Sequence, residues 1–218
     1  MEGKQIQDVA KAARAGRPTR AQAEQRHEEL LSVALDTFLE RGFEPATMEE
    51  IATRTGMSKR TVYAYYEDKS ALFKASVRRA IELYTVPHAT IEAVISDDLE
   101  KSLEAIARQR IANMATPVAT KLQRILGAQS YRFPELFNIA FEEGAGPVIA
   151  VLCRLFATYG ERGEISVAEP ERAAAAFLSL VVGGPTRIIV SGNMLSEAEI
   201  ESRIHFAVGL FLNGVRSR

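Results

Sequence analysis

Cysteine is almost missing from this 218-residue chain. Cys153 stands alone, so no intrachain disulfide can form and no thiolate cluster can hold a metal. Tryptophan is absent, and the three histidines, His27, His88 and His205, have no metal-ligand spacing. No apolar run approaches the ~20 residues of a membrane helix. The longest, residues 173–185, contains Ser179 and ends in Gly183-Gly184-Pro185. Met1 to Arg20 is polar and basic, unlike a secretory leader. Catalytic signatures are lacking too: no Gly-x-Ser-x-Gly elbow, no HExxH and no phosphate loop. The acidic pairs Asp97-Asp98 and Glu142-Glu143 fall at expected helix ends, where capping and solvation account for them. The expectation is a cytoplasmic protein that is not an enzyme, with no catalytic residue, metal, cofactor or membrane partner.

A net charge of −1 argues against a general nucleic-acid coat, but its distribution is uneven. Residues 1–80 carry 14 Lys and Arg against 12 Asp and Glu, whereas residues 81–218 carry 13 against 16. Lys11, Arg14, Arg17 and Arg20 form a basic arm without an acidic residue. Such an arm suits a phosphate-bearing partner, or is simply a solvated tail.

Beyond Arg20 nearly every segment has helical period. Leu30, Leu31, Ala34, Leu35, Phe38 and Leu39 make one apolar stripe, closed by Gly42 at a C-cap position. Thr47 and Glu50 predict a capping box opening a short helix to about Arg54. Gly56 breaks it, Ser58 caps a second short helix to about Tyr66, and Asp68 caps a third. Pro87 marks a boundary, and an Asp97/Glu100 box predicts a helix to about Met114. Pro117 and Pro134 start further helices, followed by segments at about 146–160, 169–190 and 196–216. No alternating strand pattern or internal repeat occurs. The predicted fold is all-α: a basic arm (1–21), a three-helix helix-turn-helix domain (22–83), and a larger helical effector-binding and dimerisation domain (84–218).

Two short helices around a tight turn at Gly56 suit the DNA-binding version of the motif. At 100° per residue, Val62 and Tyr66 point inward while Lys59, Arg60, Tyr63 and Ala64 point outward, with Thr61 and Tyr65 on the flanks. Lys and Arg can read guanine O6 and N7 in a major groove, and hydroxyls can reach phosphates. Lys69, beside the Asp68 cap, stands where backbone N–H groups already favour an anion.

The run Thr47…Ile51-Ala52…Gly56-Met57-Ser58-Lys59-Arg60-Thr61-Val62-Tyr63…Asp68-Lys69-x-x-Leu72, preceded by Ala34…Phe38…Gly42-Phe43, resembles the signature of the tetracycline-repressor (TetR) family over residues 22–83. The resemblance implies a homodimeric transcription regulator. It implies that the DNA-binding residues are Thr47, which caps the positioning helix, Ser58, which opens the reading helix, Lys59, Arg60, Thr61, Tyr63, Ala64 and Tyr65, and that Lys69 holds phosphate. Tyr65-Tyr66 replaces the commoner His-Phe. Glu49 stands where some relatives carry a base-reading Arg; it faces solvent or accepts from a cytosine amine. Gly16-Arg17-Pro18 resembles basic arms laid in the minor groove, with Arg17 the contact.

In the second half, Arg124-x-Leu126…Ser130-Tyr131-Arg132-Phe133-Pro134-Glu135-Leu136…Phe141-Glu142…Gly144 is similar to the subgroup with an AefR-like C-terminal domain. The last two helices are apolar over much of their circumference, which calls for cover on more than one side. A dimer interface through Phe177, Val181, Ile204, Val208, Phe211 and Leu212 is expected; burial within one chain is the alternative. Six aromatics fall between residues 131 and 159 and are either core or the wall of a cavity. As a cavity, Arg110, Gln129, Phe133, Phe137 and Phe141 would receive a hydrophobic or aromatic small-molecule effector.

The leading reading is a repressor released from a pseudo-palindromic double-stranded operator by such an effector. Its rivals are a scaffold acting mainly through a protein partner, and an enzyme sharing the architecture. An operator in the gene's own promoter would favour the first, and turnover of a bound compound the last.

Overall fold

The computed structural model describes residues 19–216, all of them in helices or short connections. Helix α1 (Arg20–Arg41) begins at a reciprocal cap: Thr19 Oγ1 accepts the Gln22 N–H, and Gln22 Oε1 accepts the Thr19 N–H at 2.9 Å. Its apolar stripe is buried from Leu30 to Phe38, and Gly42 ends it at φ +86°, donating its N–H to the Phe38 carbonyl. Helices α2 (Met48–Arg54), α3 (Lys59–Tyr65) and α4 (Lys69–Tyr84) follow, capped by Thr47, Ser58 and Asp68. Each cap side chain accepts a backbone N–H that would otherwise lack an intrahelical partner.

The Thr47 cap is one-sided. The Glu50 carboxylate pairs with Arg41 at 3.2 Å instead of reaching back, so the expected box is only half made. A similar correction applies further on. Asp98, not Asp97, caps α6 (Leu99–Met114), accepting the Lys101 N–H at 3.0 Å. Glu100 is then drawn away to Arg216 at the far end of the chain. Before it lies α5 (His88–Glu92), a single turn that hydrophobic period did not reveal. Its one fully buried side chain is Ile91.

The remaining helices are α7 (Pro117–Gln129), α8 (Pro134–Gly144), α9 (Gly146–Glu161), α10 (Pro170–Val190) and α11 (Glu197–Val215). Pro117, Pro134 and Pro147 lie in the first turns of α7, α8 and α9, where a missing N–H costs nothing. Pro185 lies inside α10, and the helix runs on to Val190 past it. By length and composition α10 is apolar enough to cross a membrane, contrary to the expectation from runs alone. Its inner residues Ala174, Phe177, Leu178 and Val181 are core, yet only 28% of its most apolar window is buried within the chain.

Two apolar cores result. One joins α5, α6, α9, α10 and α11 around Leu103, Ile106, Leu152, Phe156, Phe177 and Ile204. The other belongs to α1–α4, but Leu122, Ile125 and Leu126 of α7, with Phe133 and Leu136, complete it. Phe133 packs on Phe43 and Phe73 with ring centroids 5.1 and 4.9 Å away. Lys74 and Glu135 bridge α4 to α8 at 2.7 Å. The N-terminal helices therefore do not close their core without α7 and α8.

Candidate nucleic-acid interface and ligand cavity

The α2–α3 pair is built from small local decisions. Ile51, Ala52 and Val62 are buried and form the seam between the two helices. Gly56 takes φ +63° with open space where a Cβ would sit, so it is backbone conformation that requires glycine there. Tyr66 ends α3 facing inward, its hydroxyl 2.7 Å from His27 Nε2 on α1; burial pushes its phenol pKa up. With that face fixed, Ser58, Lys59, Arg60, Thr61, Tyr63, Ala64 and Tyr65 all stand exposed. Ser58 Oγ accepts the Thr61 N–H at 3.1 Å and lies 2.8 Å from the Thr61 hydroxyl, which braces the first turn. The Tyr65 ring leans on His27, with centroids 5.0 Å apart.

Two predicted contacts are already engaged within the chain. Lys59 is paired with Glu49 of α2 and lies over the Tyr63 ring. The pair holds Glu49 below its ordinary pKa and Lys59 above its own, in each case mainly through their mutual hydrogen bond. Glu49 thus faces solvent as a lysine partner. Lys69 donates from Nζ to the Glu44 carbonyl at 2.8 Å and sits 4.6 Å from the Phe43 ring centre. Its ammonium ties α4 to the α1–α2 connection. Arg17 lies outside the described residues.

A cavity of about 190 Å³ opens where α4, α6, α7 and α8 meet. Ile81 and Thr85 line it from the α4 end, Leu122 and Gln123 from α7, and Phe137 and Phe141 from α8. Arg110 of α6 borders it and also a neighbouring cleft of about 390 Å³ against α10. Arg110, Phe137 and Phe141 therefore lie on one cavity. Gln129 and Phe133 do not: Gln129 ends α7 away from the cavity, and Phe133 faces the opposite side of the junction, 5% exposed in the head's core. Proximity in sequence grouped them, but successive residues at a helix start point to different faces. Ile81 and Gln123 escaped notice because nothing distinguishes them from ordinary core and surface residues.

The dimer assignment needs the larger correction. Phe177, Val181, Ile204, Val208 and Leu212 are all buried inside one chain, and Phe211 stacks on Phe156 and Phe177. The strongest apolar stripe faces the chain's own core. What remains outside is Leu180 on α10, with Phe206 (73% exposed) and Leu210 (54%) one turn apart on α11.

A family model described as "Bacterial regulatory proteins, tetR family" matches residues 30–76, and one described as "AefR-like transcriptional repressor, C-terminal domain" matches residues 101–214. The chain belongs to the TetR family. It is a DNA-binding transcriptional regulator. The HTH-type transcriptional repressor BepR of Brucella suis is 24% identical over 176 residues, spanning 77% of this chain and 82% of that protein. Among solved structures, a TetR-family regulator from Mesorhizobium loti superposes with a TM-score of 0.72 at 28% identity, covering 91% of this chain and all of that one. The flavonoid-responsive regulator FrrA gives 0.70 at 29% identity, over 89% and 99% of the two chains. TetR regulators bind DNA operators and act as dimers with small-molecule effectors.

Proposed function

We propose that this TetR regulator is a homodimeric repressor that a largely apolar, aromatic small molecule releases from a pseudo-palindromic operator. Residues 22–83 form the reading head, and residues 84–218 sense and dimerise. In each subunit α3 enters the major groove, with Arg60, Thr61, Tyr63, Ala64 and Tyr65 toward the bases and phosphates. Two heads must lie about one helical turn apart, ~34–36 Å, to occupy successive grooves. The exposed faces of α10 and α11, with Leu180, Phe206 and Leu210, meet their copies across a two-fold axis. The name of BepR supports repression, and that of FrrA supports an aromatic effector.

One observation carries the coupling: α4 and α8 each join the head's core to the cavity wall. Three residues separate α3 from α4, whose last turn carries Ile81 at the cavity wall. α8 presents Leu136 and Glu135 to the head and Phe137 and Phe141 to the cavity. A molecule wedged between them favours a conformer with different head spacing. Only its preference between conformers lowers operator affinity.

The test begins with operator sequences selected from a random DNA pool by the full chain. Labelled operator is then titrated with protein, with and without the flavonoid naringenin, and read by fluorescence anisotropy. Release of operator at concentrations that also raise the protein's melting temperature supports the proposal. Stabilisation without release, across naringenin and a panel of other aromatics, contradicts it.

A further inference from the structure

Arg110 is 6% exposed, and among the described residues its Nε and Nη1 find no hydrogen-bond acceptor. Few arrangements are more costly than a guanidinium withdrawn from water without a counter-charge. Burial alone lowers its pKa; no carboxylate contributes. Arginine nonetheless remains cationic, so the cost cannot be escaped by losing a proton. Arg110 is the one buried arginine among the described residues, whereas the half-exposed Arg108 and Arg154 do find carboxylates, Glu201 through two bonds of 2.6 Å and Glu92. Arg110 instead borders both the aromatic cavity and the adjoining cleft, where Thr186 carries a second buried oxygen without a partner.

We infer that the molecule bound between α4, α6, α7 and α8 is a compact aromatic carboxylic acid, its carboxylate received by Arg110 and its rings by Phe137 and Phe141. This rests on the effector reading above and narrows its chemistry. The planar fork of a guanidinium matches a carboxylate with two parallel N–H···O bonds, and the match strengthens where water is excluded. Cavity size agrees: a dry cavity of about 150 Å³ accommodates benzene, and this one, about 190 Å³ and joined to a further cleft, admits one or two rings.

The probes are 2-naphthoate and its neutral counterpart 2-naphthamide, titrated calorimetrically into the full chain and into Arg110→Met. In the parent the acid should bind about 10-fold to 100-fold more tightly than the amide, the range for a buried hydrogen-bonded charge pair. In Arg110→Met that ratio should fall to about one, with amide affinity within a few-fold of the parent's. The variant should melt no lower than the parent, since it removes an unpaired buried charge; a structural role for Arg110 would lower the melting temperature instead. Equal affinity for acid and amide in the parent overturns the inference, as does a preference for the acid that survives Arg110→Met. Failure of both probes to bind the parent at millimolar concentration also overturns it. Tight binding of naphthoate without release of operator leaves the acid site standing and removes the effector reading alone.

Discussion

The helix-turn-helix half and the C-terminal half are both built of α-helices, but they expose different kinds of residue for different reasons. In the head, one buried side chain, Val62, and one inward ring, Tyr66, settle the orientation of α3, and everything else on that helix faces outward. In the C-terminal half, α10 is apolar around most of its circumference, and α11 adds Phe206 and Leu210 outside its buried stripe. There a hydrophobic side chain has three possible destinations: the chain's own core, the cavity or a second copy. Where polar and apolar residues alternate cleanly, pattern specifies function. Where all faces are apolar, only packing distinguishes them.

The sharpest way to break this contrast sits within one helix. Ile204→Glu places an unpaired carboxylate in the core and should cost about 3–5 kcal/mol, unfolding the chain or leaving it insoluble. Phe206→Glu, two residues on, should keep the helical circular dichroism while light scattering reports the monomer mass near 24.0 kDa. If both variants unfold, or if Phe206→Glu stays dimeric, the outer face is wrongly assigned. A second pair tests the junction. Phe133→Ala should destabilise by roughly 3–5 kcal/mol, because its ring completes the head's core. Phe137→Ala, half exposed, should cost far less and alter the response to ligand. Chemical denaturation of the two variants decides whether Phe133 belongs to the head.

These pairs also show how much could be read beforehand. Helix caps at Thr47, Ser58 and Asp68, the turn at Gly56 and the outward set on α3 follow from short-range chemistry, and each was legible residue by residue. The Asp97-Asp98 cap was misplaced by one, since two adjacent carboxylates offer equal caps until the backbone chooses. The interface residues were misassigned because the stripe with the most regular apolar period is the one the chain buries for itself. Engagement of Lys59 by Glu49 and of Lys69 by the Glu44 carbonyl could not be read either, since both are contacts between separate elements.

Smaller effects sharpen the head itself. Arg60→Ala should cost ~1–3 kcal/mol at one base position per half-site and relax preference there. Glu49→Gln should act in the opposite direction. Lys59 released from its partner is available to phosphate, so affinity should rise several-fold and the salt slope steepen by about one unit per subunit. A fall in affinity would mean that Glu49 positions Lys59 productively.

The smallest expected effect is the acid dependence of folding. Ion pairs hold Glu40, Glu49, Glu135 and Glu201 below the ordinary value of 4.5, chiefly through hydrogen bonds from Arg54, Lys59, Lys74 and Arg108. A depressed carboxylate contributes stability that is present above its unfolded pKa and lost as pH falls through the folded one. Melting temperature should therefore be flat from about pH 7 to 5 and decline below about 4.5, in a shallow manner because all four groups are exposed or partly exposed. Arg54→Met should flatten the decline slightly, and an unchanged profile would show that the Glu40 pair contributes nothing.

The central claim is that the cavity between α4 and α8 governs the head, and reciprocal titration tests it most directly. The affinity of an aromatic that releases operator is measured on the free protein and on the protein saturated with operator, and operator affinity is measured with and without that aromatic at saturation. The account predicts the same factor in both directions, because the two sites share one conformational equilibrium. It further predicts that Phe137→Ala shrinks that factor while leaving ligand-free operator affinity within about twofold, less than 0.5 kcal/mol. Binding of that aromatic with unchanged affinity to the operator-saturated protein would contradict it.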